Sequence, residues 1–373
     1  MRSGINLPRD ILEEILCGLA VKDLLRFRCV SKDCRDLIDS PDFVKLHLSQ
    51  SLKTNSNRFL IILGSAKSKP YSLDLDSLEN AHIKSTDILT DLHVKFPIIG
   101  SCNGLIALET NNGDAIVICN PTTRKIRVVP KPPTLPASAE KNLVYYGFGY
   151  DPVSDDYKLV ALIQRYNKQN QRFDITNITT EIFSLKTGYW RSSFHEAPCF
   201  PSLLLKQLIQ PIIVNNAWHL IIKHDRSITI VAFDLITERY REDVPLPLLK
   251  NFAVMELGGC LSIISERYDI NPRRTWYDIW VMKEYGLVES WTKVFSSKCG
   301  GNMMSPVAYS KCGQKVLLWI TDQNGHKCKL VWYNLKGKRI EDIKNLDVPY
   351  FWEIDVCFGS LVSPMYGCSR NEL

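Results

Sequence analysis

The residues that could do chemistry in this chain are thinly spread. Its seven His are dispersed. His219 and His224 lie five apart across the end of a strand-like run, with no Cys or carboxylate at metal-ligand spacing. Asp151, Asp155 and Asp156 place three carboxylates in the turn Asp151-Pro152-Val153-Ser154-Asp155-Asp156. Such a turn could hold a cation, but Asp in a Pro-containing turn far more often bonds the local backbone. Gly147-x-Gly149 lacks the third Gly and the following helix of a phosphate-binding loop. No Gly-x-Ser-x-Gly elbow occurs, and no Cys has the setting of a nucleophile. These residues predict no catalytic centre, no metal site and no cofactor. Arg124-Lys125-x-Arg127 and Lys336-x-Lys338-Arg339 read as solvated turn and strand charges, not as a nucleic-acid surface.

Bulk properties predict a cytoplasmic or nuclear protein. The chain has 373 residues, 45% hydrophobic and 23% charged, with a formal net charge of +6. Met1-Arg2-Ser3-Gly4 leads straight into a helical pattern without an apolar signal region. The richest apolar stretch, residues 203–222, is broken by Lys206, Gln207, Gln210, two Asn and His219, so no membrane insertion is expected. Twelve Cys are scattered, several in apolar strand-like runs (Cys119, Cys260, Cys357), as small buried hydrophobes in a reducing compartment are.

Two kinds of element must position whatever this chain binds. The first is helical. Pro8 suits a first helical position, and Asp10, Glu13 and Glu14 put negative charge where the helix dipole favours it. Ile11, Leu12, Ile15, Leu16 and Leu19 form an apolar stripe at helical period. Leu24, Leu25 and Phe27 continue the apolar pattern in a second short helix. Ser31 is placed to cap a third helix carrying Leu37 and Ile38, and Ser40-Pro41 to cap a fourth with Phe43 and Leu46. Four such helices bury little apolar surface alone, so the remainder either packs on the main domain or meets a partner. Residues 49–57 are polar and read as a linker or helix end.

After residue 55 the period becomes that of strands. One pattern recurs: an apolar pair, a polar residue, an apolar or Pro residue, then a turn. It is centred on residues 74, 120, 184, 234, 281 and 334. Further strand-like runs flank most copies, at 96–101 and 105–109, 145–150 and 157–163, 210–214 and 218–222, 253–257 and 260–265, and 306–309 and 315–320. Outer strands are expected at 125–129, 189–194, 240–244 and 290–295. Four strands per unit at a period of roughly 50 residues predict a β-propeller. Five units are complete; the sixth is split, with 353–360 joining 58–63 and 71–75 to close the ring. A seven-bladed ring is the nearest alternative, because the interval from 120 to 184 is long. Its Pro-rich segment 130–136 and polar segment 165–177 read as loops instead. Asn103-Gly104 reads as a hairpin turn needing positive φ.

Two resemblances now become specific. Leu7-Pro8, the run from Leu24 to Lys32 and Ser40-Pro41-Asp42-Phe43-x-x-x-His47 resemble an F-box in register. Cys34 stands where that family usually has Trp, and Ala20 where it usually has Pro. Ser101-Cys102-Asn103-Gly104-Leu105, the run from Tyr146 to Val160, and Ile279 to Gly286 followed by Ser290 to Val294 resemble the F-box-associated, kelch-like interaction domain of plant F-box proteins. The motifs look nearest to members that repress constitutive pathogenesis-related gene expression, and pollen S-locus F-box proteins share many of them.

The resemblance implies an F-box at 1–48, a linker at 49–57, an F-box-associated propeller at 58–365 and a tail at 366–373. It implies a non-catalytic substrate-recognition subunit of an SCF-type ubiquitin ligase, docked on a Skp-family adaptor and through it on cullin and RING subunits. The adaptor contacts expected are Leu7, Pro8, Ile11, Ile15, Leu16, Leu19, Leu24 and Leu25. A protein target, such as an immune receptor, would be held by the propeller, with 130–136 and 165–177 as candidate contact loops. A pollen–pistil recognition receptor and a non-degradative interaction scaffold are the competing readings.

Overall fold

Serine caps and asparagine turns divide the chain into its elements. The structure, a computed structural model, describes residues 8–64, 71–79, 85–86, 94–110, 113–135, 142–169, 172–195, 212–224, 227–249, 252–268, 275–298, 302–322, 328–343, 346 and 351–365. Four helices come first: α1 (Arg9–Cys17), α2 (Val21–Phe27), α3 (Lys32–Ile38) and α4 (Pro41–Thr54). The Ser31 hydroxyl accepts the Cys34 amide at 3.0 Å, and the Ser40 hydroxyl accepts the Phe43 amide at 3.3 Å, so both expected caps form. α4 ends where Asn55 adopts a left-handed φ of 54°. Leu16, Leu24, Leu37, Ile38 and Phe43 form the buried core of this bundle.

The rest is mainly β. Strands β1 (Arg58–Gly64) and β2 (Tyr71–Asp74) precede a short helix α5 (Leu75–Glu79) and β3 (Ser85–Thr86). Next come β4 (Val94–Cys102), β5 (Leu105–Thr110), β6 (Ala115–Asn120), β7 (Lys125–Pro130), β8 (Asn142–Asp151), β9 (Asp156–Gln169), β10 (Arg172–Ser184) and β11 (Trp190–Ser192). They are followed by β12 (Ile212–Val214), β13 (Ala217–His224), β14 (Ser227–Asp234), β15 (Tyr240–Val244), β16 (Phe252–Leu257), β17 (Cys260–Tyr268), β18 (Thr275–Met282) and β19 (Trp291–Lys298). The last are β20 (Met303–Tyr309), β21 (Lys315–Thr321), β22 (Cys328–Asn334), β23 (Arg339–Asp342) and β24 (Phe351–Phe358).

These strands make six four-stranded antiparallel sheets, the blades of a β-propeller. Blade 1 is β24-β1-β2-β3, and blades 2 to 6 are β4–β7, β8–β11, β12–β15, β16–β19 and β20–β23. The inner strands β24, β4, β8, β12, β16 and β20 touch in that cyclic order, which closes the ring. Closure works as expected: the C-terminal β24 pairs with β1 from Arg58↔Phe358 to Leu63↔Glu353. The hydrophobic core is a set of seams between blades. Ile99, Leu105, Phe148, Leu159 and Phe183, for example, fill the seam between blades 2 and 3.

The recurring pattern has a physical cause. In five of the six copies a polar residue ends the third strand and accepts amides of the turn that follows; the copy centred on Val281 has none. Asn120 accepts from Thr122 and Thr123, Asp234 from Ile236 and Thr237, Ser184 from Thr187, and Asn334 from Gly337. Asp74 does the same for Asp76 and Ser77, where the chain enters α5. Inner hairpins turn through left-handed pairs, Asn103-Gly104 (φ 52° and 84°) and Asn215-Asn216 (φ 52° and 56°) among them.

Several expectations are corrected. The polar segment at 165–177 is not a loop: β9 and β10 run through it as one long hairpin, paired out to Gln169↔Arg172. The long interval therefore holds longer strands and no seventh blade. β3 and β23 complete blades 1 and 6, where no outer strand was expected; each is only two to four residues long, too short for a legible period. Leu75 opens α5 instead of extending β2. Arg127 is no solvated charge. Its guanidinium donates to the Leu185 carbonyl at 2.6 Å and lies 5.5 Å from the centre of the Phe183 ring. Cys119 and Cys357 are buried as expected, and burial pushes the Cys119 thiol up to about 12.

Candidate adaptor-docking site

The bundle turns two kinds of apolar side chain in two directions. Leu16 and Leu24 point inwards, at 1% and 0% exposure, with the half-buried Leu12 and Leu19 packed against them. Ile11 and Ile15 flank that buried side of α1 and stay exposed, at 44% and 51%. They lie four residues apart, so they stack on one helix face. Pro8 is exposed at the start of that face, and Leu25 is half-buried. Leu7 lies outside the described residues. Of the expected contacts, Pro8, Ile11 and Ile15 are thus brought together at the surface, while Leu16 and Leu24 hold the helices that carry them.

Two further apolar residues are exposed nearby and lie outside the expected contact set. Phe27 and Val30 are exposed at the corner between α2 and α3. Helical period groups Phe27 with the buried Leu24; only the turn after Phe27 swings it and Val30 outwards. Around them, Arg28 forms an ion pair with Asp39 at 2.7 Å, tying that corner to the end of α3. His47, buried on α4, reaches back with Nε2 to the Leu19 carbonyl at 2.9 Å. Burial holds its imidazole below the ordinary histidine range. Cys34, which stands where the family usually has Trp, is part of the buried interior.

The bundle sits on the propeller face that carries the first and third hairpin turns of each blade. Val44 and Leu48 of α4 pack against the seam between blades 2 and 3. Lys45 pairs with Asp155 at 2.6 Å. Arg58, buried at the start of β1, donates to Asn55 and to Tyr309 of β20. The chain between helix and propeller is therefore pinned at both ends.

The three carboxylates at 151–156 are all occupied by protein groups. Asp151 accepts the Val153 and Ser154 amides and the Lys158 ammonium, the last at 2.8 Å. Asp155 receives Lys45 and the Tyr150 hydroxyl, and Asp156 receives the Ser184 hydroxyl and Lys186 amide. Lys158 also donates to the Leu235 carbonyl and to Glu238 of blade 4, where Arg191 joins. Burial pushes the Glu238 carboxyl up, but its bonds to Arg191 and Lys158 outweigh that and leave it below the usual range. This turn joins blades and receives the bundle, and its carboxylates are spent on protein groups.

The opposite face carries the two segments expected to meet a target. There Arg165 of β9 donates to the Thr134 carbonyl at 3.1 Å, so the Pro-rich connection and the long hairpin adjoin. Pro136 lies outside the described residues. Among the described residues no helix is long and apolar enough to cross a membrane.

The family profile of the F-box domain matches residues 5–46, and that of the F-box associated beta propeller domain matches residues 59–363. The chain is 33% identical to F-box protein CPR1 of Arabidopsis thaliana, over 98% of this chain and 91% of that protein. It is 32% identical to F-box/kelch-repeat protein At3g23880 of the same plant, over 79% of this chain and 80% of that one. Among solved structures, TolB from Acinetobacter baumannii aligns with a TM-score of 0.43 at 12% identity, covering 85% of this chain and 72% of that one. A small helical bundle with an outward apolar face, seated on a six-bladed ring and matched by both profiles, places this chain in the family of F-box proteins with an F-box-associated β-propeller.

Proposed function

We propose that this chain is a substrate-recognition subunit of an SCF-type ubiquitin ligase. It docks through α1 and the α2–α3 corner on a Skp-family adaptor, and through that adaptor on cullin and RING subunits. The observation that carries this reading is the division of faces. The bundle that presents Ile11 and Ile15 is anchored on one face of the ring by Lys45, Val44 and Leu48. The face with the adjoining 130–135 and β9–β10 segments points away from it. Such a layout holds a target at a fixed offset from the ligase core, turning ubiquitin transfer into an effectively intramolecular step. This chain makes no bond itself in that scheme; the charged E2 and the RING subunit do.

The finer reading is a role in plant immune regulation, with an immune receptor as target, in the cytoplasm or nucleus. It rests on the motif likeness and on the identity with CPR1. The test is affinity purification with mass spectrometry, comparing the full chain with one lacking residues 1–48. Adaptor and cullin should be lost on deletion, while the target is retained and its cellular level rises. A target whose level falls equally with the deleted chain would replace degradation by scaffolding.

A further inference from the structure

The last described stretch of the chain, residues 359–365, does more than follow the closing strand. It leaves β24 and runs as a strap between the bundle and the ring. Leu361 packs against the bundle core of Leu16, Leu24, Leu37, Ile38 and Phe43. Its neighbour Val362 packs the other way, into the seam between blades 2 and 3. Consecutive residues in an extended chain point to opposite sides, so one strap serves both cores at once.

The strap is held along its length by hydrogen bonds to its backbone. The fully buried Asn120 donates its amide to the Ser360 carbonyl at 3.0 Å and to the Val362 carbonyl at 2.7 Å. The Gly359 amide donates to the Asn57 carbonyl at 2.6 Å, which ties the strap to the chain entering β1. Arg127 reaches the Pro364 carbonyl at 3.5 Å. Gly104 leaves room for it: a Cβ there would lie 2.3 Å from Ser360 Oγ and 2.7 Å from the Phe358 carbonyl oxygen. Among the described residues the bundle is also anchored by the buried Arg58, which bridges Asn55 to Tyr309, by the half-exposed Lys45–Asp155 pair, which salt screens, and by the contacts of Val44 and Leu48.

We infer that this strap, with Leu361 and Asn120 as positioning residues, fixes the direction in which the F-box faces the propeller. The inference rests on the ligase reading for its consequence, but the orientation itself does not. Ring closure and adaptor presentation then share one segment: the same chain end that completes blade 1 aims the bundle.

The test uses the full chain bound to a purified Skp-family adaptor, as wild type and as Leu361→Ser, Gly104→Ala and Gly286→Ala. Gly104 and Gly286 have nearly equal positive φ, 84° and 86°, but nothing lies within 4 Å of a Cβ at Gly286. Gly286→Ala thus carries the backbone strain without touching the strap, and it controls for folding. Small-angle scattering of the complex should show a wider spread of dimensions for Leu361→Ser and Gly104→Ala, and none for Gly286→Ala. Adaptor affinity should stay within about twofold in all, because the outward face of α1 is intact. In a reconstituted ligase, ubiquitin placed on the propeller's own lysines should spread to new sites. Its yield at the wild-type sites should fall about tenfold or more. An unchanged scattering profile in both strap variants overturns the inference. Changed scattering with unchanged ubiquitin placement leaves the orientation standing and overturns its link to ligase function.

Discussion

Replacing Ile11 and Ile15 together by Ala is the sharpest probe of the docking face. Full burial of an Ile side chain contributes about 1.5–3 kcal/mol. These two are already about half buried, at 44% and 51% exposure, so docking gains about 1 kcal/mol from each. The double variant should therefore lose about 2 kcal/mol of adaptor affinity, roughly a thirtyfold rise in Kd. The bundle itself should melt almost unchanged, because neither side chain is in its core. Leu16→Ala makes the contrast: its side chain is 1% exposed, and truncation should cost the bundle about 2–5 kcal/mol of stability. Calorimetric titration of a purified Skp-family adaptor, paired with circular-dichroism melting, separates the two effects. A double variant that binds within about twofold of wild type, with unchanged melting, refutes docking through this helix face.

Three further outcomes test the ring. His219 bridges blades 4 and 5: Nδ1 donates to the Ile212 carbonyl, which leaves Nε2 to accept the Tyr285 hydroxyl at 2.7 Å. Burial lowers its pKa to about 4, against about 6.5 in an unfolded chain. The native form binds fewer protons in that window, so stability present above pH 6.5 should fall by about 3 kcal/mol as pH drops towards 4. His219→Phe should flatten the dependence of Tm on pH, and an unaltered slope counts against this account. Lys158→Met strands the buried Asp151 carboxylate and leaves Glu238 with Arg191 alone, and should cost about 3–5 kcal/mol in denaturant unfolding; a loss below about 1 kcal/mol would show that the network is not needed. Deleting residues 351–373 removes β24 and exposes the edge of β1, so the propeller should lose its cooperative melt; an unshifted transition would mean that the ring does not depend on this strand.

Much of the fold was legible because local chemistry repeats. Ser31, Ser40, Asn103-Gly104 and the polar residues of the strand-end turns act through bonds to their nearest neighbours, which residue type and spacing disclose. Strand period similarly exposed the blades, and the split sixth unit followed from incomplete strand sets at the two ends. β3 and β23 escaped because they are too short to show a period, and β9–β10 because polar residues there hid the continuing hairpin.

The site divides along the same line. The amino-acid sequence by itself determined that α1 carries an apolar stripe, that the helices are capped where they are, and that the chain resembles the F-box family. Period alone does not say which side of a stripe faces its own core. Only packing sent Leu16 and Leu24 inwards and left Ile11, Ile15, Phe27 and Val30 outside. Tertiary structure likewise turned Arg127 from a surface charge into an anchor and joined Lys158 to Glu238 across blades. It also brought Leu361 under residues more than three hundred positions earlier in the chain. Those pairings depend on the closed ring, which sets distances that no local spacing encodes.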